Sequence, residues 1–110
     1  MVTVSTSSET YHHGALRGAL VEAGVAALEG PEGAEVSLRE LARQVGVSPT
    51  AVYRHFPNKQ ALLAALAARG LEMLGEAQQA AHDASGGSFA EVGRAYIRFA
   101  LAHPALFRLV

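Results

Sequence analysis

The chain has 110 residues, half of them hydrophobic, which is enough for one modest domain with a core and excludes a disordered tail. It has no cysteine, so disulfide frameworks, zinc–thiolate sites and thiol nucleophiles are excluded together. A net charge of −1 argues neither for nor against a nucleic-acid partner, but its distribution is uneven. Between Ser37 and Lys59 the cations Arg39, Arg43, Arg54 and Lys59 face Glu40 alone, a local +3 that leaves −4 for the rest.

The opening stretch MVTVSTSSETYHHG lacks the basic then apolar pattern of a signal peptide. No apolar run reaches the roughly 18 residues of a membrane span, since Leu62 to Leu74 is interrupted by Arg69 and Glu72. A cytoplasmic protein with no membrane partner is expected.

Residues 1–10 are rich in Ser and Thr without periodicity and read as a flexible arm. The adjacent His12 and His13 have no third ligand at helical spacing, so capping or a backbone contact suits them better than a metal site. A first helix follows over Ala15 to Leu28, with Leu16, Leu20, Ala23 and Ala27 as its apolar stripe. Gly18 and Gly24 each cost it about 1 kcal/mol relative to Ala, so close approach of a neighbour is expected there. Glu29 to Glu35 is a turn-rich linker.

Ser37 and Glu40 form a capping box opening a helix over Leu38 to Val45, with Leu38, Leu41, Ala42 and Val45 inward. Gly46 is its stop, and Ser48–Pro49 start a short helix reaching His55 or Phe56, ended by Pro57. Asn58 caps a long helix over Lys59 to His82, with Leu62, Leu63, Leu66 and Met73 buried. After the break at Asp83 to Ser88, a second capping box (Ser88, Glu91) opens a fifth helix whose apolar face is Phe89, Val92, Tyr96 and Phe99/Ala100. Pro104 starts a sixth helix. No strand or repeat is evident, and the expected fold is all-α.

Two short helices joined at Gly46-Val47-Ser48 have the helix-turn-helix pattern. The N-terminal turn of the second can enter a major groove, where its amides and dipole favour acceptors. Thr50 can hydrogen-bond a base or touch a thymine methyl, and Ala51 permits close apolar approach. Tyr53, Arg54 and His55 supply donors toward flanking phosphates, with Lys59 in the first turn of the next helix. Arg39 lies nearer its helix start than Arg43 and is the better DNA candidate of the two.

From Ser37 to Leu66, SLRELARQVGVSPTAVYRHFPNKQALLAAL resembles the DNA-binding domain of TetR/AcrR-family bacterial transcriptional regulators. The resemblance rests on Tyr53, His55, Phe56, Asn58, Lys59, Leu62 and Leu63 following the helix-turn-helix. Tyr11 to Gly24 and Tyr96 to Val110 are similar to a subgroup with a WHG-type C-terminal domain. The resemblance implies a three-helix DNA-binding domain over 11–58 and the first helices of a ligand and dimerisation domain over 59–110, incomplete at Val110. It also implies DNA contacts from Ser37, Arg39, Pro49, Thr50, Ala51, Tyr53, His55 and Lys59, with Phe56 inward; Arg54 falls at a variable position, and Ser48, the cap of the second helix, is counted with the DNA-binding residues. Tyr96, Phe99 and Phe107 are candidates for lining a ligand pocket, although an aromatic stripe at helical spacing is more often core.

The expected function is a sequence-specific regulator, foremost a repressor that binds a pseudo-palindromic operator as a homodimer and is released by a small-molecule effector. An activating or chromosome-structural member of the family is the nearer alternative; a small ligand- or metal-binding helical module without DNA binding is the more distant one. No cofactor is expected. An enzyme is disfavoured, because there is no paired-carboxylate, phosphate-loop or nucleophile–base arrangement. Ser48 and His55 lie about two helical turns apart, roughly 10 Å, beyond hydrogen-bonding reach.

Overall fold

Side chains that accept a first-turn amide fix where four of the helices begin. In the computed structural model, which describes residues 3–30 and 36–110, with side chains from residue 14 onward, six helices follow one another. They are α1 (Thr3–Leu28), α2 (Leu38–Val45), α3 (Pro49–His55), α4 (Lys59–Ala84), α5 (Phe89–Ala102) and α6 (Pro104–Phe107). Ser37, Ser48, Asn58 and Ser88 accept from the amides of Glu40, Ala51, Ala61 and Glu91 at 3.2, 3.2, 2.8 and 3.2 Å. No strand occurs among the described residues, and no helix there is long and apolar enough to cross a membrane.

The capping boxes form by half. The Glu40 carboxylate turns away from Ser37 to Arg43 and Gln44, and Glu91 turns to Arg94 and Arg98. The Ser88 amide is met instead by the Ser85 hydroxyl at 3.0 Å. A guanidinium one turn on outcompetes a backbone N–H for a carboxylate because the hydrogen bond is charge-assisted.

Helix α1 begins at Thr3, where the sequence reading put a flexible arm. With no Gly or Pro between Thr3 and His13, a helix nucleated further along can extend backward at little cost per residue. The imidazoles of His12 and His13, and the linker residues 31–35, lie outside what the structure describes.

Gly46 closes α2 at φ +86°, a left-handed conformation cheap only for glycine, and its N–H bonds to the Ala42 carbonyl. That reversal folds α3 back across α2 and α1. Leu20, Val21, Val25 and Leu28 of α1 then meet Val36, Leu41, Ala42, Val52, Phe56, Leu62 and Leu66 in one apolar core. The buried stripe of α1 is therefore rotated from the expected one: Leu16, Ala23 and Ala27 are only partly covered. In α4, Leu74 takes the buried place expected of Met73, and Leu63 is half-buried.

The two glycines of α1 have different explanations. A Cβ on Gly24 would stand 2.8 Å from Leu66 Cδ2, so any side chain there would force the buried Leu66 to shift at the crossing of α1 and α4. A Cβ on Gly18 would meet nothing within 4 Å, and close approach does not explain that residue.

Two ion pairs fasten the rim of the molecule. Arg69 of α4 bonds Glu22 of α1 at 2.9 Å, with Glu72 and Glu76 beside it, which raises the Arg69 pKa further. His103, between α5 and α6, pairs through Nδ1 with Glu29 just past α1.

The chain as a whole is more extended than a compact globule. The radius of gyration is 16.8 Å, against about 13 Å for a compact chain of 100 residues. On α5 only Ala95 and Phe99 are buried; Ile97 and Leu101 are exposed, and Phe89, expected inward, is 91% exposed. Phe89 precedes Phe99 by ten residues, which at 100° each places it about 80° off the line that α4 covers.

Candidate nucleic-acid interface

Helix α3 has seven residues and two faces. Val52 and Phe56 are fully buried, anchoring the helix to α1, α2 and α4. Thr50, Tyr53 and Arg54 point to solvent on the other side, with Ala51 and His55 half-buried between the two. The conspicuous run Tyr53-Arg54-His55-Phe56 thus divides into donors that face outward and one ring that faces inward. Tyr53 keeps 43% of its surface exposed.

Sequence reasoning assigned acceptor binding at the start of α3 partly to free amides, and the geometry narrows that. Pro49 carries no N–H, and the Ala51 amide is already bonded to Ser48 through both Oγ (3.2 Å) and carbonyl (3.1 Å). What the start of α3 still offers an acceptor is the Thr50 hydroxyl and the Thr50 amide. Ser48 and Ser37 each use a lone pair for capping, which leaves their hydroxyl hydrogens to donate outward.

The cations sort by partner. Arg43 is held by Glu40, which raises its pKa and lowers that of Glu40, so it is part of a solvated pair. Arg39 and Arg54 are exposed and have no carboxylate partner among the described residues. Lys59, the first residue of α4, stands just after the Asn58 cap, beside the end of α3. Ser37 and Arg39 at the start of α2, the outward face of α3 and Lys59 thus supply cations and hydroxyls from three successive element starts.

Arg17 was not singled out by sequence reasoning. Its guanidinium lies 5.1 Å from the centre of the Phe56 ring, a cation–π contact that brings another positive charge from α1 to the head. Its place in an otherwise small and apolar stretch gave no sign of this. The aromatic candidates do converge: Tyr96 and Phe107 meet edge to face at 5.5 Å, and Phe99 lies 6.5 Å from Phe107 and 4.8 Å from the His103 ring. They fill space against one another between α5 and α6. Among the described residues no cluster of His, Asp and Glu is arranged to hold a metal.

Residues 21–66 match the family model of bacterial regulatory proteins of the tetR family. These residues take in the C-terminal end of α1, all of α2 and α3 and the start of α4, so they form a helix-turn-helix DNA-binding domain. A solved structure of a protein with unknown function from Rhodococcus sp. RHA1 is 43% identical, with a TM-score of 0.71. The match covers 90% of this chain and 53% of that one, so the chain spans about half the length of that relative. No curated protein matches the chain.

Proposed function

We infer, from this chain's membership of the tetR family of bacterial regulatory proteins, that it is a sequence-specific DNA-binding transcriptional regulator. The observation that carries the reading is the division of α3: Val52 and Phe56 lock it into the core, which leaves Thr50, Tyr53 and Arg54 facing outward on a rigid base. Thr50 and Ala51 read bases. Ser37, Arg39, Ser48, Tyr53, His55 and Lys59 hold phosphates, with Arg54 assisting at a flank. Two copies bind a pseudo-palindromic operator as a homodimer in the cytoplasm, their α3 helices in successive major grooves about 34–36 Å apart.

The regulator acts as a repressor released by a small molecule. An effector that binds better to a protomer arrangement in which the two α3 helices miss that spacing shifts the population away from DNA. The Arg69–Glu22 and His103–Glu29 pairs, which tie α4 and the α5–α6 elbow to α1, support a mechanical link between the two parts.

Selection of binding sites from random duplex DNA at about 100 mM salt tests this. A recovered inverted repeat with half-sites about ten base pairs apart is expected. Binding without sequence preference, or none, refutes the reading.

A further inference from the structure

A cleft of about 230 Å³ runs along the seam between the DNA-binding head and α6. Its apolar walls come from four separate stretches of chain: Leu28 at the end of α1, Val36, Leu63 of α4, and Ala105 and Leu109 at the C-terminal end. The polar residues that line it, among those described, are the two cations Lys59 and Arg108. We propose that this cleft binds a small amphiphilic carboxylate, its alkyl part against the leucines and its carboxylate on Arg108, with Lys59 as the second cation.

Charge complementarity selects the occupant. Among the described residues no acidic side chain lines the cleft and none pairs with Arg108, so an incoming anion displaces no ion pair there. The planar guanidinium fork fits a carboxylate bidentately, which an alcohol or an ammonium cannot reproduce. The volume is below the roughly 300–1,000 Å³ of sites for drug-sized ligands, which limits the occupant to a short chain. Each methylene buried against the walls should raise affinity by up to about fourfold until the cleft is full.

The site is separate from the Tyr96–Phe99–Phe107 cluster, since none of those rings lines it. Its position has a consequence that rests on the regulator reading above. Lys59 is also a proposed phosphate contact, so a carboxylate that draws it into the cleft competes with DNA for the same charge.

The test is calorimetric titration of the intact chain with hexanoate and octanoate, and with octan-1-ol as the uncharged control, all below their aggregation ranges. Octanoate should bind more tightly than hexanoate and at least about tenfold more tightly than octan-1-ol. Arg108→Gln, an exposed substitution whose fold is checked by circular dichroism, should weaken octanoate about tenfold or more. Tyr96→Ala should leave octanoate binding unchanged. Equal binding of acid and alcohol, or no effect of Arg108→Gln, overturns the proposal, as does loss confined to Tyr96→Ala. The regulator reading fails by a different result, absence of operator binding with no carboxylate present. If operator binding is found, octanoate should weaken it in the wild type and not in Arg108→Gln.

Discussion

Replacing Phe56 and replacing its neighbour Tyr53 should damage the protein in opposite ways. Phe56 is 1% exposed, packs in the core formed by α1 to α4 and carries the Arg17 guanidinium over its ring. Truncation to Ala removes a fully buried ring, a loss of about 3–5 kcal/mol, and the cation–π contact adds about 0.5–1 kcal/mol at a site this exposed to water. Against a total of about 5–15 kcal/mol for a domain, that is a large share. At roughly 4 °C per kcal/mol, Phe56→Ala should lower the melting temperature by on the order of 14–24 °C. Tyr53→Phe removes only an exposed hydroxyl, so stability should stay within about 0.5 kcal/mol. Its operator affinity should fall about tenfold or more, as expected when a hydrogen bond to a charged phosphate is lost. Urea denaturation followed by circular dichroism gives the first quantity, and operator titration of the folded variants gives the second. If Phe56→Ala costs less than 1 kcal/mol, or Tyr53→Phe destabilises more than it weakens DNA binding, the assignment of the two faces of α3 is wrong.

Lys59→Ala should weaken all DNA sequences about equally and reduce the salt dependence of binding by about one unit of slope, measured by titration across salt concentrations. Thr50→Ala should instead change the preference at one operator position by about 1–3 kcal/mol in a competition assay; uniform weakening would place the recognition turn elsewhere. Gly24→Leu forces a side chain into the α1–α4 crossing, where even a Cβ would stand 2.8 Å from the buried Leu66, and should cost about 1–3 kcal/mol by denaturation. Arg43 holds the Glu40 carboxylate below its ordinary value of 4.5. The pair's contribution is therefore present above that value and is lost as pH falls through the lowered one. Glu40→Gln should flatten that acid limb slightly, because both groups are exposed to water.

Local signals made much of the head legible in the sequence. Each of Ser37, Ser48, Asn58 and Ser88 acts on an amide three residues away, so its cap needs no tertiary information, and all four form. Gly46 is equally local, since the left-handed turn is a property of one residue. Phe56, expected inward from the resemblance, is buried one turn after the buried Val52. Contacts between distant elements could not be read this way. The Glu29–His103 pair joins residues 74 apart, and the Arg17–Phe56 contact needs α1 to cross α3 at a particular height. The glycines of α1 make the point within one helix: Gly24 lies at the crossing with Leu66 and Gly18 does not, though the sequence presents them alike.

Phe89 shows the same division between local and long-range information in α5. Hydrophobic periodicity put Phe89, Val92, Tyr96 and Phe99 on one face, and the helix forms with Ser88 as its cap. A period specifies which residues point the same way; burial also requires something opposite them. Helix α4 covers only the strip through Ala95 and Phe99, about as wide as one helix can reach across another, and Phe89 lies about 80° outside it. Ile97 and Leu101, further round the same helix, are exposed for the same reason. The head differs because α3 packs on α2 and its inward Val52 and Phe56 join one core with residues of α1, α2 and α4, so the apolar positions there have neighbours to meet.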